Sequence, residues 1–212
     1  MKRLVLTLAL VVVFCAEGAF AAPKKGTMTD ARDGESYQTV RIGKQIWMAE
    51  NLKVKTEGSW CYEDKETNCQ KYGRLYNWDA AKVACPAGWH LPSKEELEML
   101  LKAVGGTLVK SEGEEIVWWS DTGKKLKSTS GWKEKEGENG NGDDAFGFSA
   151  LAAGGRSYDS GYIQEGVEAH FWSSTGYDDA DAYYMGLYNF GDVAGLFGGE
   201  NGSGFSVRCL QD

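Results

Sequence analysis

The stretch Cys85-Pro86-Ala87-Gly88-Trp89-His90-Leu91-Pro92-Ser93-Lys94-Glu95-Glu96-Leu97-Glu98-Met99-Leu100-Leu101-Lys102-Ala103-Val104-Gly105 holds the clearest helix of the chain. The Ser93 side chain is placed to cap the first turn while Glu96 reaches back to complete a capping box. Leu97, Leu100, Leu101 and Val104 recur at i, i+3, i+4 and i+7, and Gly105 supplies a left-handed stop. One face of this helix must therefore pack on a core. Upstream, Asn77 to Ala84 reads as a shorter helix capped by Asn77. It ends at Cys85-Pro86 because the residue before a proline disfavours helical backbone.

Outward from these helices the pattern turns to strands. Tyr37 to Ile42 and Gln45 to Met48 flank Gly43-Lys44, a two-residue hairpin turn. Beyond Gly106, short apolar or alternating runs predict strands at Val117 to Ser120, Phe148 to Ala152, Ala169 to Ser174, Ala182 to Tyr188 and Phe205 to Leu210. Long polar stretches separate them, above all Lys133 to Asp144, and such loops in a compact domain serve binding or are loosely held. Residues 22–36 read as a flexible polar tail, and 37–212 as one domain. Helices early and strands late make an α+β fold.

The N-terminus bears on compartment. Lys2 and Arg3 precede an apolar run from Leu4 to Phe14, and Ala19-Phe20-Ala21 offers a cleavage site, so 1–21 is expected to be a secretory signal peptide. A retained anchor is the alternative, although a spanning helix needs roughly 20 apolar residues and this run is about half that. A lipobox at Cys15 is disfavoured by the bulky Phe14 before it. The chain carries 23 basic and 31 acidic residues, and removing Lys2, Arg3 and Glu17 shifts its formal charge from −8 to −9. That acidity argues against nucleic acid and anionic lipid as partners, and no later run is apolar enough to enter a membrane.

Four cysteines then remain, an even count that in an exported chain reads as a disulfide framework with three possible connectivities. Spacing favours Cys61–Cys69, a short loop, and Cys85–Cys209, a link from mid-chain to the last strand. A zinc site of four thiolates is the alternative, but CxxC pairs are absent.

Tyr72-Gly73-Arg74-Leu75-Tyr76-Asn77-Trp78, Cys85 to Ser93, Gly123-Lys124-Lys125-Leu126-Lys127 with Trp132, Gly147 to Gly154, Phe171-Trp172-Ser173-Ser174-Thr175 and Gly204 to Cys209 occur in this order. Together they resemble the Fibrobacter succinogenes major paralogous domain family over nearly all of the chain after the signal. The resemblance implies an exported or surface protein and supplies no assigned biochemical activity. His90-Leu91-Pro92-Ser93 before a helix and the closing Gly204 to Cys209 are also similar to the formylglycine-generating-enzyme branch of the C-type-lectin-like fold. The Cys85–Cys209 link resembles the helix-to-last-strand bridge of that fold. What this implies is two helices packed on an antiparallel sheet, with a long-loop region and disulfide staples.

Catalytic chemistry finds little support. The oxidase branch works through a closely spaced cysteine pair near the C-terminus, where this chain has only Cys209. With both bridges formed no thiolate is free. His90 and His170 form no HxH or HxxxH pair, and His90, between Trp89 and Leu91, reads as a packed core residue. No Gly-x-Ser-x-Gly elbow is present.

Binding chemistry is better represented. Asn139, Asn141, Asp143 and Asp144 form an oxygen-rich segment that offers a calcium ion ligands, with a solvated loop as the plainer reading. Asp178, Asp179 and Asp181 form a second acidic patch. Trp47, Trp78, Trp89 and Trp172 are read as structural, whereas Trp118, Trp119, Trp132, Tyr158 and Tyr162 lie nearer the loop-rich half, where rings stack on sugar faces. Strand alternation sends one of Trp118 and Trp119 inward and the other outward. The expectation is a non-catalytic extracellular or surface binding or adhesion module for a polysaccharide or an envelope component. The alternatives are a protein-recognising domain of an envelope complex and, behind it, a hydrolase using Asp143 and Asp144.

Overall fold

Three antiparallel strands open the domain, β1 (Lys24–Thr29), β2 (Ser36–Ile42) and β3 (Gln45–Met48), in a computed structural model that describes residues 23–110, 117–159 and 161–212. The expected signal peptide, 1–21, lies outside the described residues. Gly43 takes φ +60° in the β2–β3 turn, as its position in the hairpin requires. Lys24–Thr29, expected within a flexible tail, instead pairs in register with β2 from Lys24–Arg41 to Thr29–Ser36. Its side chains are almost all exposed, so hydrophobic patterning gave no signal for it.

There follow β4 (Ser59–Trp60), α1 (Glu66–Tyr72), β5 (Leu75–Tyr76), α2 (Trp78–Ala84), β6 (Trp89–His90), α3 (Lys94–Ala103), β7 (Thr107–Lys110), β8 (Val117–Ser120) and α4 (Gly123–Leu126). After the polar loop come β9 (Gly155–Ser157), β10 (Gly161–Ile163), β11 (Glu168–Gly176), β12 (Asp181–Tyr188), β13 (Val193–Glu200), β14 (Phe205–Ser206) and β15 (Leu210–Gln211). The fold is α+β. Strands assemble in the orders β1-β2-β3-β15-β6 and β4-β5-β14-β11-β12-β13-β8-β7, with β9 and β10 as a separate pair.

Both helix predictions from capping residues hold. Asn77 accepts from the Ala80 N–H, and Ser93 and Glu96 form the reciprocal capping box. Leu97, Leu100, Leu101 and Val104 of α3 are buried against Phe171, Met185, Leu187, Ala194, Leu196 and Trp119, the inner face of the larger sheet. The opposite face of that sheet is covered over Trp172, Ala182 and Phe205 by Ala80, Ala81 and Ala84 of α2. Beyond that cover the second face is only half buried.

Two predicted strands came out differently, and one strand was not predicted at all. Phe148, Ala150 and Ala152 do point inward alternately, yet this segment forms only an isolated bridge between Ala150 and Lys127. Its carbonyls go elsewhere, those of Phe148 and Ser149 to the guanidinium of Arg208. Phe205 to Leu210 breaks into β14 and β15 because Val207 to Cys209 crosses from one sheet to the other, with Val207 and Cys209 accepting from Leu52 and Met48. Glycine-rich β13, with Gly195, Gly198 and Gly199, escaped notice because glycine weakens a strand by intrinsic preference.

Both favoured disulfides are present, Cys61–Cys69 with a separation of 8 residues and Cys85–Cys209 with 124. The second joins the end of α2 to the start of β15. Chain-entropy arguments assign the long closure about 4–5 kcal/mol and the short one about 2–3 kcal/mol. Urea unfolding of C85A/C209A is therefore expected to show a larger loss of stability than that of C61A/C69A. Equal losses would mean that the long bridge closes nothing that packing does not already hold.

Candidate functional site

Alternation along the central strands sets an aromatic row on the half-covered face of the larger sheet. Trp118 of β8 lies opposite Gly195 of β13, Phe197 opposite Tyr184, and Gly186 between β11 and β13 opposite both His170 and Gly195. Glycine is what makes room for the rings. A Cβ on Gly195 would sit 2.1 Å from Cζ of Phe197, so Phe197 lies down along its own strand over the bare backbone. A Cβ on Gly186 would likewise meet the Tyr188 hydroxyl at 2.9 Å.

The rings touch in sequence. Trp118 meets Phe197 edge-on at 5.1 Å and Tyr188 at 5.8 Å, and Tyr188 meets Phe190 at 5.2 Å. At the other end Tyr184 leads to His170 and Phe205, where cover by α2 begins. Burial raises the Tyr184 phenol to about 12, and Glu168 adds to the shift. Tyr188 is pushed up for the same first reason. Both phenols are therefore neutral donors at any physiological pH.

Phe190 is 41 % exposed and forms one lip of a cleft of about 500 Å³ between the 133–144 loop and the β12–β13 turn. Lys127, Lys135, Asn139, Asn189 and Asp192 line it with Phe190. Asn139 and the loop as a whole thus border the cleft. Asn139 Oδ1 accepts from the Asn141 N–H, Asn141 Oδ1 from the Trp132 N–H, and both Asp144 oxygens from Ser149. Three of the four side chains considered for calcium are committed to turns. The same holds in the second acidic patch for Asp178, whose Oδ1 accepts from Ala180 and Asp181.

The five predicted aromatic residues do not converge. Trp118 joins the row, and Trp119, its neighbour, is buried in the α3 core as alternation requires. Trp132 is buried, its indole N–H shared between Ser128 Oγ and the Ala150 carbonyl, both at 3.1 Å, so it pins the loop. Tyr158 is exposed and lies over Gly202, while Tyr162 packs on Tyr62 and donates to Asp64. The members that sequence reading missed are Tyr188, Phe190 and Phe197. Their signal was the spacing Tyr184-x-Gly186-x-Tyr188 and Gly195-x-Phe197, small and aromatic residues alternating on one face.

Among the described residues, the only close cluster of three metal-type ligands is Cys61, Glu66 and Cys69. Its two sulfurs are joined in the short disulfide and accept from Arg74, so they offer no thiolates.

A family model described as the Fibrobacter succinogenes major domain matches residues 40–211. The chain belongs to this family. Neither the curated proteins nor the solved structures contain a match to it. The matched span of the family includes both disulfides, the ring row and the cleft, so the site lies within the shared domain and not in an appendage.

His90 is not the core residue that its neighbours implied. Its ring is 38 % exposed and lies between Asp212, 2.7 Å from Nδ1, and Glu96, 3.1 Å from Nε2. Burial lowers its pKa, but hydrogen bonds to Asp212 and Glu96 outweigh this and raise it above the ordinary 6.5. A raised pKa means that folding favours the imidazolium. The contribution is complete below pH 6.5 and is lost as pH rises through the folded value. Urea titrations across that window are expected to show stability falling with pH in the native protein and a flatter profile in H90N. Parallel profiles for the two proteins would mean that the triad contributes nothing.

Proposed function

We propose that this chain is a non-catalytic binding or adhesion module that works outside the cytoplasm and takes a polysaccharide of the surface or envelope as its ligand. The observation that carries the reading is the half-exposed row Trp118, Phe197, Tyr188 and Phe190 opening onto a polar cleft. Such a row presents flat apolar area at low entropic cost, and the cleft supplies hydrogen-bonding groups that orient a ligand. Export is supported by the basic-then-apolar N-terminus and by two disulfides, which persist in oxidising compartments. Among the described residues no helix is long and apolar enough to cross a membrane.

We read the α+β scaffold as C-type-lectin-like. In support, one disulfide ties α2 to the last strand, α2 and α3 pack on opposite faces of a mainly antiparallel sheet, and the 133–144 loop builds the cleft. This reading does not call on calcium; three of its four candidate side chains, Asn139, Asn141 and Asp144, accept hydrogen bonds within the loop.

Pull-down on insoluble glycans and on envelope fractions tests the proposal. Phe190→Ala and Trp118→Ala are each expected to weaken retention by about 1–2 kcal/mol, roughly five- to thirtyfold, as hot-spot aromatics do. Tyr158→Ala is expected to leave it unchanged, and so is added chelator. Failure to bind any glycan or envelope fraction would overturn the reading. Capture of a single protein partner, indifferent to added sugars, would replace it with a protein-recognising scaffold.

A further inference from the structure

The cleft beside Phe190 is built around two groups whose hydrogen bonding is incomplete. Lys127 is 1 % exposed and makes no ion pair among the described residues. Its Nζ donates to the Tyr188 carbonyl at 2.9 Å and sits 5.2 Å from the Trp132 ring centroid. An ammonium has three hydrogens to donate, so donor capacity remains. Burial pulls its pKa down, opposed by Asp192 and Asp143.

Asn189, next along the chain from Tyr188, is also buried. Its amide nitrogen donates to the Lys133 carbonyl at 3.1 Å, and its backbone N–H to Val167. Oδ1 of the same amide is buried with no donor facing it. A buried acceptor left without a donor is unfavourable, and a donor supplied by a bound group would relieve it. The Lys127 ammonium rests on the carbonyl of the residue before Asn189, and both residues line the cleft.

Charge narrows the choice of ligand. Lys124, Lys127 and Lys135 line the cleft together with Glu136, Glu138 and Asp192, so its formal charges cancel. The chain as a whole carries −8. An anionic ligand thus gains no net attraction here, and its carboxylate has nothing to donate to Asn189. A hydroxyl group satisfies both needs, accepting from one neighbour while donating to another.

We infer that the cleft holds a neutral sugar unit, its hydroxyls meeting the polar wall of Lys127 and Asn189 while an apolar ring face meets Phe190. This deepens the polysaccharide-binding reading and rests on it. It excludes uronates as the preferred ligand and assigns Lys127 a recognition role that its burial alone would have hidden.

Affinity electrophoresis of the mature protein separates these claims, using xylan and hydroxyethylcellulose as neutral matrices and polygalacturonate and alginate as acidic ones. Retention is expected on a neutral matrix, changing less than about twofold between low salt and about 1 M NaCl, because no ion pair is screened. Lys127→Met, which keeps the apolar stem, should weaken it about tenfold or more, the scale of a lost charge-assisted hydrogen bond. If that variant does not fold, as judged by its melting curve, exposed Phe190→Ala serves in its place and should also lose retention. Binding confined to the acidic matrices, with steep salt dependence, would overturn the neutral-sugar inference and leave the binding module standing. So would neutral binding untouched by the substitutions. No retention on any matrix would remove both.

Discussion

Arg208 holds the parts of this domain together from a position with almost no access to solvent. Its Nε donates to Asn51 Oδ1 at 2.6 Å, its Nη1 to the carbonyls of Met48 and Phe148, and its Nη2 to that of Ser149. The guanidinium lies against the rings of Phe148 and Phe171. Among the described residues no carboxylate pairs with it directly, so carbonyl dipoles stabilise the charge, and burial lowers its pKa to about 9. The cation therefore persists at neutral pH. Five donors in a rigid fork are what this junction needs, since it must bind irregular backbone from the end of β3 and from the 148–149 segment at once. Without it, those carbonyls would be buried and unsatisfied.

That junction explains why one segment can serve two sheets. Between β14 and β15 the chain leaves the larger sheet and enters the smaller one, and Arg208 and Cys209 sit at the crossing. Hydrogen bonds fix the crossing on one side, and the disulfide to the end of α2 fixes it on the other. The consequence for the site is indirect but definite. With the 148–150 segment locked, the Ala150 carbonyl is presented to the Trp132 indole, and Trp132 in turn anchors the loop that forms one side of the cleft.

The aromatic face follows a different logic. Glycines at 186 and 195 cost strand propensity, and rings laid over them recover that loss by covering bare backbone. The result is a surface that is flat and apolar where α2 does not reach. All four cysteines among the described residues are locked in bridges, and both histidines are paired with carboxylates. A face of rings beside amide, ammonium and carboxylate groups is suited to recognition.

Capping and periodicity made α2 and α3 legible before any coordinates, because those signals are local: Asn77 and Ser93 cap their own first turns, and four apolar residues mark one helix face. The β2–β3 hairpin, the strands from Glu168 and Asp181, and both cysteine pairs were legible for similar reasons of spacing and alternation. Strands β1 and β13 were not, since a polar edge strand and a glycine-rich one owe their existence to the neighbours they pair with. The site was legible only in Trp118 and in the choice of the 133–144 loop. That Phe190, Asn189 and Lys127 share one cleft depends on residues some sixty positions apart being brought together by the sheet and the Trp132 anchor. Local chemistry in the chain determined its helices and its staples. Which faces stayed open, and which polar groups were buried beside the cleft, was decided only when distant segments competed for the same space.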